Sequence, residues 1–282
     1  NDMFGFDIGY FQWVTYCMPF VLVMIPLTWF VVNWRFKPRI TSLAPAMKHL
    51  QAEIGRMGGW NRQQIWAIII FLVMVYGWFT EKIFYTLGIY PVRLGIGVIA
   101  VARAMAYLLA GVCNWRDYQE KVDWGVVWLY AGAIIFGRTL DSTGAAYWLA
   151  RTIIDGLAPL GVDSGLPLML VNNGLTACMT NLMADGPAAA AVGPISLNMA
   201  GLVHPGTTYL PFMAMGTAMA SSFAYCLIIG TPPNAIVYAS GYLEPKDYLK
   251  VGVPMWFIAN IVVILLVAVY WCFRGFGSLP GF

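Results

Sequence analysis

Charge is what this chain has least of. Lys, Arg, Asp and Glu make up 10% of its 282 residues and histidine occurs twice, where an ordinary soluble domain is roughly a quarter charged. A polypeptide so poor in charge is not a soluble globular protein, and beyond one short basic segment it has no surface for nucleic acid. The five cysteines, Cys17, Cys113, Cys178, Cys226 and Cys272, stand singly in or at the ends of apolar segments. That spacing offers neither a disulfide framework nor a metal cluster, so they read as small core residues. His49 lies in the basic segment and His204 precedes a proline, and neither has a neighbour suited to catalysis or metal binding. No nucleophile, base and orienting group occur together, no glycine-rich loop opens a helix, and no haem spacing is present. The chain therefore does not read as an enzyme.

Hydrophobic residues are abundant, at 60% of the chain with a mean hydropathy of +0.70. Apolar runs recur at Trp13–Val32, Ile65–Leu87, Leu94–Val112, Trp124–Leu140 and Val253–Tyr270, each long enough to cross about 30 Å of hydrocarbon. This predicts an all-α polytopic membrane protein of an inner or plasma membrane. The longest polar segment, "NWRFKPRITSLAPAMKHLQAEIGRMGGWNRQ", carries Arg35, Lys37, Arg39, Lys48, Arg56 and Arg62 with almost no acid. The positive-inside bias places it in the cytoplasm and the N-terminus outside. Arg116 and Lys121 fall on the same side by alternation, and tryptophans cluster at the expected interfaces. The first residues show no basic leader and no initiating methionine, so the chain is expected to be trimmed or one half of something larger.

The predicted organisation is a first span at 1–34, then a cytoplasmic basic segment at 35–63. In that segment Met47, Leu50, Ile54 and Met57 make an interfacial helix of Pro45–Met57. Two spans follow at 64–112, then a region at 123–198 containing a re-entrant hairpin, a discontinuous helix at 207–242, and a last span at 251–272. The hairpin is read from two apolar arms, each short for a crossing, joined by "NLMADGP". Lipid cannot satisfy Asn181, Asp185 or the open backbone near Gly186 and Pro187, so protein must host the turn. Asp185 at that depth belongs to a functional site, a structural ion pair or a helix cap.

The discontinuous helix is read from "GTPPNAIVYASG", Gly230–Gly241. Pro232 and Pro233 remove donors and push the preceding backbone towards extension. The expected break lies at Gly230–Asn234, with unpaired amides on one side for an anion and unpaired carbonyls on the other for a cation. The small residues around it, Gly216, Thr217, Ala218, Ala220, Ser221, Ser222, Ala235, Ala239, Ser240 and Gly241, suit close helix packing, and their hydroxyls are available to a coordination shell.

"SSFAYCLIIGTPPNAIVYASGYL" resembles the second signature of the divalent anion:sodium symporter family, in which a serine and a hydrophobic run precede Gly/Ala-Thr-Pro-Pro-Asn-Ala. Here Ser222 and Gly230–Ala235 stand at those positions. "FQWVTYCMPFVLVMIPLTW", "VDWGVVWLYAGAIIFGRTLDSTGAAYWLA" and "TACMTNLMADGPAAAAVGPI" are similar to further family segments, so the likeness covers nearly the whole chain. It implies the later part of an inverted-repeat ion-transporter fold, with a re-entrant hairpin and a discontinuous helix at one site. By that resemblance substrate would meet Thr180, Asn181, Gly186, Thr231, Pro232, Pro233 and Asn234. No cofactor is expected; a sodium ion, as coupling ion, would meet Ala184, Asp185, Gly230 and Thr231.

Two features depart from the family pattern. Only one hairpin and one broken helix are present, so the sequence is a fragment, pairs with a separate chain carrying the first repeat, or is a reduced accessory protein. The hairpin tip, Ser-Asn-Thr in the family, reads Ala184, Asp185 and Gly186 here. The resemblance implies sodium-coupled transport of small divalent anions, dicarboxylate or sulfate, by a homodimer or hetero-oligomeric membrane assembly among lipid. The other reading is a non-transporting structural or accessory subunit of a larger membrane complex, and a pore is a third.

Overall fold

A computed structural model of the chain describes residues 9–36, 44–89, 95–204 and 209–271. Lys37, Arg39, Leu94 and Cys272, named above, lie outside the described residues. Every described regular element is helical, and no strand occurs among the described residues. The protein is all-α and polytopic. The chain divides into two units, Asn1–Tyr16 with Pro38–Asp123, and Cys17–Lys37 with Trp124–Phe282.

In the first unit, the opening turns of α1 (Tyr10–Arg35) set Tyr10 against Trp78 and Phe79, with ring centroids 5.5 and 5.2 Å apart. The helix α2 (Ala44–Met57) turns Met47, Leu50 and Ile54 outward along one side, the stripe of an amphipathic surface helix. An Asn61 cap starts α3 (Arg62–Thr86), its side chain accepting from Gln63 N while Gln64 Oε1 accepts from Asn61 N; this reciprocal pairing satisfies orphan amides. The helix α4 (Ile96–Leu109) runs antiparallel to α3. Trp78 Nε1 donates to Ile96 O, Tyr107 Oη to Ala67 O and Gln63 Nε2 to Gly111 O, at 3.2, 3.2 and 3.0 Å. The short α5 (Trp115–Lys121) opens on a reciprocal Asn114–Asp117 pair, and that backbone bond together with Lys121 holds the Asp117 carboxyl below its ordinary range.

In the second unit, α6 (Trp124–Ser142) and α7 (Ala145–Leu157) lead into two long helices, α8 (Gly165–Leu182) and α9 (Asp185–Val203), joined at Met183 and Ala184. Small residues, Asp185 to Gly193 in sequence, let α9 lie close to α6, α7, α8 and the following α10 (Tyr209–Ala220). Last comes α12 (Pro245–Leu265), which continues as a wider turn over Leu266–Trp271. The core holds Leu168, Met169, Tyr209, Phe212, Met255 and Trp271, all fully buried.

Polar side chains are threaded through that core. Asn172, Asn173, Thr176, Thr180 and Asn181 recur at three- and four-residue spacing on the buried face of α8. Asn172 Nδ2 donates to Thr217 Oγ1 at 2.9 Å, and Thr217 Oγ1 lies 2.6 Å from Ser196 Oγ, linking α8, α9 and α10. In a membrane protein such bonds substitute for the hydrophobic drive that lipid removes.

Two elements differ from the sequence reading. The hairpin arms are 18 and 19 residues long, and α9, read as short for a crossing, is one of four helices among the described residues long and apolar enough to span, with α1, α3 and Pro245–Trp271. Pro194 inside α9 did not end it; membrane helices tolerate an internal proline where their surroundings are protein. The interruption of the later helix starts at Ser221, not at Gly230. Helix α10 ends at Ala220, a 3-10 turn occupies Ile228–Gly230, and Pro232 and Pro233 open the next helix, α11 (Pro232–Ala239), instead of breaking it. Proline is well placed in a first turn, where its missing N–H would have no partner anyway.

Candidate functional site

The hairpin tip begins where α8 stops. Met183 and Ala184 are both extended, and Ala184, the N-cap of α9, has no side-chain oxygen to cap with. Asp185 stands in the first turn instead, where a carboxylate complements the positive helix end. Of the α9 amides without an intrahelical partner, Pro187 has none to offer and Ala188 N bonds Ala184 O, which leaves those of Asp185 and Gly186. Gly186 sits under the Tyr130 ring so closely that a Cβ there would collide with it.

The last turn of α8 holds the interrupted stretch. The Thr180 hydroxyl lies 2.5 Å from Ser221 O and 3.1 Å from Asp185 Oδ1. Thr231 lies beside the Asp185 side chain as well. Asn181 Nδ2 donates to Ala177 O and, at 3.2 Å, to Phe223 O, while its Oδ1 accepts from Cys226 N at 2.8 Å. The Phe223 ring stacks on Phe20 of α1, with centroids 5.4 Å apart. Gly230 is buried against Ala224 Cβ and Thr180 O, which an added Cβ would meet at 2.8 and 3.0 Å; glycine lets the returning chain touch the end of α8.

The far side of the interruption differs from the expected anion-binding helix end. Pro232 and Pro233 have no amide hydrogen, and Asn234 N and Ala235 N both donate to Thr231 O, so no free amide remains in the first turn of α11. Thr231 is extended, as a residue before proline should be. Asn234 turns its Nδ2 back to Ala224 O and Leu227 O at 2.7 and 3.1 Å, and Tyr248 Oη donates to Asn234 O at 2.8 Å. Asn181 and Asn234 thus bracket Ser221–Leu227 from its two sides.

The structure brings Thr180, Asp185, Gly230 and Thr231 together, with Gly186 alongside on the tip. Ala184 offers backbone only, Pro232 and Pro233 are exposed, and the side-chain amides of Asn181 and Asn234 are engaged with backbone. Ser221, whose carbonyl faces Thr180, was named in the sequence only among the small residues around the break, and Tyr130, which covers Gly186, was not singled out and has no local signal. The inward stripe Asn172, Asn173 and Thr176 was also passed over, although its spacing was readable. An apolar cavity of about 400 Å³ beside Asn181, lined by Leu182, Leu227, Leu249, Val253 and Trp256, offers an anion nothing.

The chemistry of the cluster follows from its oxygens. Thr180 has one hydroxyl hydrogen for two acceptors, Ser221 O and an Asp185 oxygen, so lone pairs outnumber protons. Oxygen crowding of this kind around a carboxylate favours a small hard cation. At the start of α9 the Asp185 amide meets its own carboxylate, and the Gly186 amide is the one left to face an anion.

Residues 1–275 match the family described as the sodium:sulfate symporter transmembrane region. The chain belongs to that family. It is 25% identical over 280 residues to a sodium-dependent dicarboxylate transporter, SdcS, of Staphylococcus saprophyticus, covering 95% of this chain and 52% of that protein. The Staphylococcus aureus (strain USA300) transporter of the same name is 24% identical over 277 residues, 94% of this chain and 51% of that protein. An uncharacterized transporter of Haemophilus influenzae is 25% identical over 275 residues, 93% and 54% of the two chains. This sodium:sulfate symporter family chain thus spans about half the length of the curated relatives it matches. Membership points to a transporter, not an enzyme, embedded in a membrane.

Proposed function

We propose that this chain supplies the hairpin-and-broken-helix half of the site in a sodium-coupled secondary transporter of small divalent anions, dicarboxylate or sulfate. The observation that carries the reading is the meeting of Thr180, Asp185 and Thr231 at the interruption. Sodium is held by Thr180 Oγ1, Ser221 O and the Asp185 carboxylate; the anion lies against the Gly186 amide and the Thr231 hydroxyl. Asp185 then explains coupling. Bare, it repels a divalent anion, and with a cation beside it the repulsion is cancelled, so the anion follows the ion. Family members named above are sodium-dependent dicarboxylate transporters, which supports this choice of ion and cargo. The other half of the site comes from a first inverted repeat, on the same polypeptide or on a partner chain, and the assembly works as a homodimer or hetero-oligomer with 35–63 in the cytoplasm of a plasma or inner membrane.

The test is thermal melting of the purified chain in sodium against potassium. A ligand at 100 times its Kd stabilises by about 2.7 kcal/mol, and a tenfold weaker site by about 1.4 kcal/mol. Asp185→Asn is expected to halve the sodium-specific gain in this way. Equal melting in the two salts, or a gain that survives Asp185→Asn, would overturn the assignment. The second reading, a scaffold subunit without transport, would then be favoured, since Tyr130 covers Gly186 and Ala184 lacks the hydroxyl that the family pattern has at that position.

A further inference from the structure

The stretch Ser221–Leu227 carries a polar side chain that the transport reading does not use. Tyr225 lies in the middle of it, and the main chain on either side is tied to the end of α8. Ala224 packs on Gly230, which touches Thr180 O, and Cys226 N donates to Asn181 Oδ1 at 2.8 Å. Tyr225 N donates to Phe223 O at 2.9 Å, and Tyr225 O lies so close to Gly252 of α12 that a Cβ there would meet it at 2.3 Å. The backbone of this residue is fixed from both helices.

The ring is fixed as well. It stacks on Phe223 with centroids 5.9 Å apart and planes 12° from parallel, and Phe223 stacks in turn on Phe20 of α1 at 5.4 Å and 23°. Three stacked rings ending in a phenol make a rigid mount for one hydroxyl. That hydroxyl stands within electrostatic reach of the Asp185 carboxylate, yet it makes no hydrogen bond to Asp185 or to any other of the described residues. Tyr225 is part-buried, as are Asp185, Gly186 and Thr231, whereas Thr180, Ser221 and Gly230 are buried. The phenol therefore belongs to the open face of the site and not to the packing under it. A polar hydrogen left idle where water is scarce costs free energy until a ligand accepts it.

The site is short of donors, not of acceptors. Around Thr180, lone pairs already outnumber protons and suit the cation. For the anion there is the Gly186 amide and the Thr231 hydroxyl, and the latter has the Asp185 side chain beside it. A dicarboxylate or sulfate presents several oxygens to these groups, and a hydrogen bond to an ionised oxygen is stronger than one between neutral groups. We propose that the Tyr225 hydroxyl is a further donor to the bound divalent anion, beside the Gly186 amide and the Thr231 hydroxyl, and so a binding residue of the site. The proposal rests on the transport reading and adds to it a residue that fixes the anion alone.

In the assembly that contains the other half of the site, succinate and sulfate are titrated calorimetrically at saturating sodium into wild type and into Tyr225→Phe, which removes the hydroxyl and keeps the stacked ring. The anion Kd should rise about tenfold, the scale of one charge-assisted hydrogen bond. The sodium Kd measured without anion, and the ligand-free melting temperature, should stay at their wild-type values. A second measurement needs no variant: nitration of Tyr225 by tetranitromethane, located by peptide mass spectrometry, should be slowed by sulfate with sodium and not by sodium alone. Unchanged anion affinity in Tyr225→Phe, an equal loss of anion and sodium affinity, or nitration indifferent to the anion would overturn the proposal and leave the transport reading standing. A wild-type assembly that binds neither anion at any sodium concentration would remove the transport reading, and this proposal with it.

Discussion

Asn181, expected from the family resemblance to meet substrate, has its side-chain amide engaged with the main chain. Its amide uses both ends on backbone, donating to Phe223 O and accepting from Cys226 N, 42 and 45 residues away. Those partners are what keep an open stretch of main chain satisfied where water is scarce. Removing the side chain leaves the part-buried Cys226 amide unpaired, at a cost of about 1–3 kcal/mol, while Phe223 O keeps its bond from Tyr225 N at 2.9 Å. Asn181→Ala is therefore expected to lower stability by about 1–3 kcal/mol, seen as a fall in melting temperature in detergent without any ligand present. A neutral melt would show that water replaces the side chain. Thr180 and Asp185, one turn apart on either side of the tip, differ from Asn181 in having oxygen lone pairs left over. Sequence shows which polar residues lie deep, but not which already have partners.

At the scale of elements, the interruption between α10 and α11 separates two roles that adjacent residues play. Pro233 is exposed and merely starts a helix, so Pro233→Ala should change stability by less than about 1 kcal/mol, the usual size of a proline effect on the unfolded chain. Asn234 ties Ala224 O and Leu227 O together, and Asn234→Ala should cost more, about 1–3 kcal/mol. Paired thermal melts of the two variants check the ordering, and a larger loss from the proline would reverse the assignment. Legibility in the sequence divides along the same line. Long apolar runs marked α1, α3 and α12, and "NLMADGP" marked the tip between α8 and α9, because length, periodicity and turn chemistry are local. Helix α10 ends at Ala220 because Thr180 and the Ser221 and Ser222 hydroxyls satisfy its last carbonyls, Ser222 Oγ bonding Met219 O and Ser221 Oγ bonding Ala218 O. The Thr180 contact comes from 41 residues away, and no window around Ala220 contains it.

For the whole molecule, a site in which one carboxylate faces both a cation and an anion carries a thermodynamic obligation. If sodium raises anion affinity by some factor, the anion must raise sodium affinity by the same factor, because both paths reach one doubly bound state. In the assembly that contains the other half of the site, calorimetric titration of succinate or sulfate at rising sodium should show tighter anion binding, by about 5–150-fold at saturation. The mirror titration of sodium at saturating anion should return an equal factor. With Asp185→Asn the repulsion that sodium relieves is gone, so the factor should collapse towards one even where the anion still binds. A coupling factor unchanged in that variant would place the link between ion and cargo away from Asp185, in the way the surrounding helices rearrange and not in the charge at the tip.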